Sequence, residues 1–509
     1  MRLALARRLT AVVGLLALLA ASATPTQWFR HSAARGGDDL PWLSVRDGRV
    51  VDSEGYYVVL RGANYMGMEF GWLGHSEADF ERMASWGFNV VRVPIGWAYI
   101  EPEPGVIDED YLRRLDQVIE WARRHGLYVV LDMHQWRWSR RCGGCGMPDW
   151  LVPGAKSYAE ASVAFFTNRT LWERFARVWR LLAERYRDEP AIAAYDVFNE
   201  PVPKYDLVPK GEFLRLVEEF YEYVISEIRE VDGRHIVMYM PVWGGDLSAA
   251  PRVSGPNVVL TVHYYVGGTW DGRTGYERVK PDELRKAVER AVQLAEDRGV
   301  PLWVGEFGVG SAAYRARDWV RDVVRFFDEH GLGYAWWTYW RDEGGFGLLR
   351  RDGSEKEHIV SVLDRPYVRR STAPVLRMRF DLEAKAFEAT LLTSSGGTVM
   401  AEVYVPKRHY PNFPSDYLVS ASSGVVELSF DEKSRVLCLK VRGAKPGKLK
   451  IAMAPATASR TPEGLASRQL GIALACAGAL GAALILRLLK CRAHLRGKPY
   501  IRCPRPYGA

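Results

Sequence analysis

The stretch Tyr195-Asp196-Val197-Phe198-Asn199-Glu200-Pro201 decides how the whole chain is read. The apolar run from Ile192 to Phe198 reads as a short buried strand, and Pro201 stops it from continuing. Glu200 is left at its end, where a carboxylate is costly unless something pairs or uses it. Downstream, Pro301-Leu302-Trp303-Val304-Gly305-Glu306-Phe307-Gly308 repeats the pattern: an apolar strand, then Glu at its end, then Gly.

Outward from these two strands the chain alternates. Strand-like runs fall at Val58–Asn64, Phe88–Pro94, Leu127–His134, Ile192–Asn199, Ile236–Pro241, Val258–Tyr264, Leu302–Gly305 and Gly333–Tyr339. Amphipathic helix patterns lie between most of them. Tyr111, Leu112, Leu115, Val118, Ile119 and Ala122 recur at helical spacing and stop at His125-Gly126, a C-cap signal. Another helix opens at Pro281-Asp282 and stops at Arg298-Gly299. Strands separated by helices in this way predict a (β/α)₈ TIM barrel over residues 42–365. In that fold the working face lies at the carboxyl ends of the strands, where Glu200 and Glu306 both fall.

From about Arg369 helical spacing gives way to alternation, as in Val399/Ala401/Val403/Val405, and residues 369–456 read as a small C-terminal β-sandwich. Residues 457–468 form a polar linker. Residues 469–489 read as a single transmembrane helix, since Gln469 to Leu486 carries no charge and is long enough to cross a bilayer. At the other end, residues 1–23 read as a signal peptide: Arg2, Arg7 and Arg8, an apolar run, then Ala21-Ser22-Ala23.

The formal net charge of +8 is unevenly placed. Arg487 and the basic tail at 490–509 hold seven cations and no acid, which the positive-inside rule assigns to the cytoplasm. The remainder is close to neutral, so a nucleic-acid partner is not expected. The barrel is expected outside the cell, anchored at its surface. Cys142-Gly143-Gly144-Cys145 has no second CxxC or His pair beside it, and a local disulfide is expected there rather than zinc.

Two glutamates at strand ends suit glycoside cleavage: one protonates the leaving oxygen, and the other attacks or activates water. Arg92, on the second strand, is placed to contact one carboxylate, read as Glu306. Tyr265 is placed to donate to the same group. Glu200 then needs a less cationic setting in which it holds a proton.

Six motifs occur in order, each at the end of a strand. They are Phe88-Asn89-Val90-Val91-Arg92-Val93-Pro94, Asp132-Met133-His134-Gln135, Asn199-Glu200-Pro201, His263-Tyr264-Tyr265, Gly305-Glu306-Phe307-Gly308 and Trp336-Trp337-Thr338-Tyr339. Together they resemble family 5 glycoside hydrolases, of the clan of retaining barrel glycosidases. Leu60-Arg61-Gly62-Ala63-Asn64, Gly144-Cys145-Gly146-Met147-Pro148-Asp149-Trp150 and Val403-Tyr404-Val405-Pro406 resemble endoglycoceramidases in particular. The resemblance implies that Glu200 is the acid/base and Glu306 the nucleophile, without metal or organic cofactor. It implies that Asn199 holds the sugar 2-hydroxyl, His134 and His263 shape the pocket, and Trp337 forms the floor on which the sugar stacks. Trp136 stands where those enzymes carry Asp after His-Gln, and Phe166 where they carry Trp, so a different sugar is expected.

The expected activity is that of a retaining endo-β-glycosidase on a β-linked glycan or glycolipid. Two alternatives are a transglycosylase using the same site and a membrane-anchored, non-catalytic carbohydrate-binding protein on an enzyme scaffold. The intact glutamate pair argues against the last of these.

Overall fold

The computed structural model describes residues 40–456. The expected signal peptide at 1–23, the linker at 457–468, the membrane span at 469–489 and the basic tail lie outside the described residues. Among the described residues no helix is long and apolar enough to cross a membrane.

Eight strands close into a barrel. In chain order they are β1 (Arg61–Asn64), β2 (Val90–Ile95), β3 (Tyr128–Met133), β4 (Ile192–Asp196), β5 (Ile236–Tyr239), β6 (Val258–Tyr264), β7 (Leu302–Phe307) and β8 (Gly333–Trp336). All neighbours run parallel, and β8 closes the ring by pairing Trp336 with Ala63 of β1. Every residue of β2, β3 and β6 is buried, as expected of strands with one face on the barrel interior and the other under helices. Gly62 admits the second strand: a Cβ there would sit 1.7 Å from the Val90 carbonyl oxygen.

The helix Glu109–Arg124 buries Tyr111, Leu112, Leu115, Val118, Ile119 and Ala122, the residues its spacing marks. The Asp108 carboxylate caps its start by accepting from the Tyr111 amide at 3.0 Å. The helix Pro281–Arg298 ends at Gly299 in the left-handed conformation, φ 67°.

The C-terminal β-rich region is two facing sheets. One has four strands: Val375–Asp381, Ala386–Thr393, Gly447–Pro455 and Tyr417–Ala421. The other has seven strands, and three of these come from the N-terminal side of the barrel: Leu43–Arg46, Arg49–Asp52 and Tyr57–Val58. Here the structure differs from the sequence reading, which took residues from 42 onward as barrel and Val58–Asn64 as one strand. Val58 pairs with Arg370 and Tyr57 with Ser371, while Arg61 opens β1, so the chain changes sheet within three residues. Alternation along a strand reports that it is a strand, but not which sheet it joins. Arg370 ties the graft together through Asp52 at 3.0 Å, Glu54 at 2.8 Å and Glu402 at 2.7 Å.

Candidate active site

Arg92 lies wholly buried on β2, inside the barrel near its mouth. Its Nε donates to Asp196 Oδ2 at 3.0 Å, Nη1 donates to Asn64 Oδ1 at 3.0 Å and to Glu306 Oε1 at 2.9 Å, and Nη2 donates to Asn199 Oδ1 at 2.9 Å. Asp132 Oδ1 lies 3.0 Å from Nη2. Burial works against the guanidinium charge, but Asp132, Asp196 and Glu306 outweigh it and hold Arg92 above its ordinary value. Asp132 is pushed up to about 7 and Asp196 to about 6, in both cases by burial with Arg92 pulling back. One cation therefore faces more acids than it can neutralise, and the pocket retains protons near neutral pH.

The sequence-predicted residues converge on this web. Glu306, at the end of β7, accepts from Arg92 and, at 2.9 Å, from the Tyr265 hydroxyl. Burial raises its carboxyl above the ordinary value, while His263 and Arg92 act to lower it. Arg92 thus favours the ionised form, but desolvation is the larger effect. Glu200 follows β4 in a left-handed backbone conformation, φ 45°, which a non-glycine residue adopts at a cost of about 1–3 kcal/mol. Gln135 clamps this turn by donating to the Asn199 carbonyl at 3.0 Å and the Glu200 carbonyl at 2.8 Å. The Glu200 side chain, 23% exposed, has no arginine ion pair among the described residues and is pushed up to about 7 by desolvation, with His134 and Arg92 opposing.

His263 Nδ1 sits between the two carboxylates, 2.7 Å from Glu200 and 3.5 Å from Glu306. Burial pushes both His263 and His134 down to about 4, so both imidazoles are neutral at physiological pH. Gly305 makes room for this histidine and for Thr261: a Cβ there would meet Thr261 Oγ1 at 2.5 Å. His134 is held by Asp132 at 2.7 Å and stacks on Trp337 with centroids 5.4 Å apart and planes 11° apart. Trp337 is half-buried, whereas its neighbour Trp336 is buried and donates to the Phe346 carbonyl at 2.9 Å. Asn199 completes the group, its amide donating to the Gln135 carbonyl at 2.9 Å.

Asn64, Asp132, Gln135 and Asp196 were not singled out as site residues. Their signal was a polar residue at or just past the end of an otherwise apolar strand. Phe166, which stands where the resemblance has Trp, is fully buried among Phe198, Phe213 and Phe220. Trp138 is buried against Phe165 and Trp150 packs edge-on to Trp97, while Trp136 remains exposed beside the mouth. The expected Cys142–Cys145 disulfide is not formed, and both thiols are free among the described residues. The turn is instead closed by backbone bonds between Trp136 and Cys145, 2.8 and 3.2 Å long, which leave Cys145 buried.

Glu200, His263 and Glu306 each bring one ligand atom within 4.8 Å of the others, a grouping that can also hold a cation. Arg92 already occupies one side of Glu306 and competes for that role. A cavity of about 530 Å³ lies at the opposite end of the barrel, lined by Val59, Met238, Val259 and Trp303, and contains none of these groups.

The family profile described as cellulase (glycosyl hydrolase family 5) matches residues 51–343, and that of the glycoside hydrolase family 5 C-terminal domain matches residues 365–453. Endoglycoceramidase I of Rhodococcus hoagii is 24% identical over 458 residues, covering 82% of this chain and 89% of its own. Endoglucanase C of Acetivibrio thermocellus is 24% identical over 340 residues, covering 57% and 91%. Among solved structures, endo-glycoceramidase II from Rhodococcus sp. in its ganglioside GM3 complex superposes with a TM-score of 0.67 at 26% identity, covering 81% of this chain and 100% of that one.

Proposed function

The chain belongs to glycoside hydrolase family 5, and from that premise we propose that it is a retaining endo-β-glycosidase acting on a β-linked glycan or glycolipid. The carrying observation is the glutamate pair, with carboxylate oxygens of Glu200 and Glu306 no more than 4.8 Å apart. Retaining enzymes hold their carboxyl groups about 5–5.5 Å apart, whereas inverting ones leave about 6.5–9.5 Å for a water. The division of labour follows from the contacts. Arg92 and Tyr265 donate to Glu306 and favour its anionic form, which attacks the anomeric carbon. Glu200, which meets the neutral His263 at 2.7 Å in place of an arginine or tyrosine, is pushed up to about 7 and keeps the proton that the leaving oxygen takes. Glu200 then returns as base, removing a proton from the water that releases the sugar from Glu306. In this reading Trp337, which lies flat against His134, serves as the platform for the sugar ring, and Asn199 holds the 2-hydroxyl.

The similarity to endoglycoceramidases and endoglucanases supports both glycolipid and glucan substrates. The leader-like residues 1–23 and the uncharged segment at 469–486 support export and anchorage at the cell surface. The decisive measurement uses aryl β-glucoside, β-cellobioside and β-lactoside. Wild type releases the aryl alcohol, Glu306→Ala does not, and azide restores turnover in the variant with inverted product configuration. Release of the opposite anomer by wild type in the first turnover would overturn the retaining assignment.

A further inference from the structure

Six aromatic side chains are exposed among the described residues: Phe70, Trp136, Tyr205, Trp243, Trp270 and Tyr314. Each follows a different barrel strand, namely β1, β3, β4, β5, β6 and β7, so all six lie in loops at the carboxyl ends of the strands. The amino-terminal end of the barrel and the sandwich expose none; the exposed large side chains of the sandwich are aliphatic, Leu392, Leu418, Val425 and Leu428. The most open are Trp270 at 69% and Tyr314 at 62%. These loops are also tied together: the Tyr276 amide of the sixth loop donates to the Tyr314 carbonyl of the seventh at 3.2 Å, and Tyr158, which opens the helix after the third loop, packs edge-on against Trp243 of the fifth.

We infer that this rim docks on an anionic lipid bilayer, so that the enzyme acts on a glycolipid headgroup while the lipid stays in the membrane. This rests on the glycosidase reading and specifies the physical state of its substrate. Three observations select a bilayer over a glycan chain. A linear glycan enters and leaves a ring at two points, whereas exposed aromatics in six of eight directions are covered together only by a surface. Trp and Tyr, apolar in body and polar at the tip, are the residues that settle at a membrane–water interface. The third loop adds charge: between Trp136 and Trp150 it carries Arg137, Arg140 and Arg141 against Asp149 alone. Arg137 lies 4.6 Å over the Trp136 ring and makes no ion pair among the described residues, leaving its charge for lipid phosphate. The rim surrounds the pocket of Glu200 and Glu306, so a docked surface delivers a headgroup directly to the acid and the nucleophile.

The test uses the full chain and the double variant W270S/Y314S. Both are assayed on soluble aryl β-lactoside, on soluble cello-oligosaccharide, and on β-lactosylceramide in vesicles of phosphatidylcholine with or without phosphatidylglycerol. The variant is expected to match wild type on both soluble substrates and to turn over the vesicle substrate about tenfold more slowly. The wild-type rate on vesicles is expected to rise with phosphatidylglycerol. A loss on cello-oligosaccharide as large as that on vesicles would assign the rim to a glycan chain and overturn the inference, as would an unchanged vesicle rate. A second readout needs no turnover: brominated lipid quenches tryptophan fluorescence more in wild type than in W270F. Quenching with no hydrolysis of any substrate would defeat the glycosidase reading and leave the docking intact; equal quenching in the two proteins would defeat the docking.

Discussion

Two arginines are wholly buried in the barrel wall, one near each end of the strands, and they serve opposite purposes. Arg92 faces the mouth and spends its donors on Asp196, Asn64, Glu306 and Asn199. Arg61 opens β1 at the far end, where it meets Asp328 at 2.5 Å and lies over the rings of Tyr334 and Tyr367, 5.0 and 4.7 Å from their centroids. Tyr367 belongs to the seven-stranded sheet, so Arg61 joins barrel to sandwich. Its Nε and Nη1 find no hydrogen-bond partner among the described residues, and Asp328 is also bound by Arg365 at 2.6 Å. At the mouth, acids outnumber the cation; at the base, cations outnumber the acid. Burying a charge costs the same desolvation at either end, but only the mouth converts the surplus into protons that chemistry can use.

The largest effect tests the mouth. Arg92→Met leaves Asp132, Asp196 and Glu306 without their shared counter-charge. It is expected to lower kcat on the order of a thousandfold and to cost roughly 3–5 kcal/mol of stability, read by aryl-glycoside kinetics and thermal melts. Arg61→Met is the matching change at the base. Asp328 keeps Arg365, so the expected cost is smaller, about 2 kcal/mol, and kcat per folded molecule stays at the wild-type value. A fall in kcat for Arg61→Met comparable with that for Arg92→Met would break the distinction between the two ends.

The same contrast explains what the sequence disclosed. The barrel was legible because its strands are short apolar runs and its helices have capped, periodic faces, signals that local physics writes directly. Glu200 and Glu306 were legible because a carboxylate ending an apolar strand demands a reason. Asp132, Asp196 and Gln135 were harder to assign, since each draws its meaning from Arg92 or from the Glu200 turn, groups distant in sequence. The graft of Leu43–Val58 onto the sandwich was not legible, because a short strand pattern does not name the partner it will pair with. The burial of Phe166 was hidden for a related reason: a sequence position near a loop does not reveal that the ring turns into the core.

A smaller effect sharpens the proton side of the mouth. With Glu200 pushed up to about 7, kcat/KM is expected to fall as pH rises through about 7, since the leaving group then finds no proton. Glu200→Gln is expected to remove that limb. It should also lose far more activity on substrates with poor leaving groups than on activated aryl glycosides, which depart without an acid. A limb that persists unchanged in Glu200→Gln would place the titrating proton elsewhere, with Asp132 the next group in the same range.

The smallest effect is on stability, and it asks whether the acid surplus is confined to the mouth. Glu69, in the turn Met68–Phe70 after β1, is 1% exposed. Its Oε2 accepts from the Gly67 amide at 2.6 Å, and its Oε1 has no hydrogen-bond partner among the described residues. Burial pushes its carboxyl up to about 8, with Asp132 and Glu306 adding to the rise and backbone donors opposing it. The folded protein therefore binds a proton here that the unfolded chain releases at an ordinary carboxylate value. The sign follows: stability is fully present below about pH 4.5, declines as pH rises, and has lost this contribution above about pH 8. Glu69→Gln keeps an acceptor for Gly67 and cannot ionise. It is expected to melt a few degrees above wild type at alkaline pH, on the order of 1 kcal/mol, and to converge with it toward pH 5. A pH-independent offset for Glu69→Gln would show that its carboxyl is ionised in the fold and that the mouth's surplus is smaller than the contacts imply.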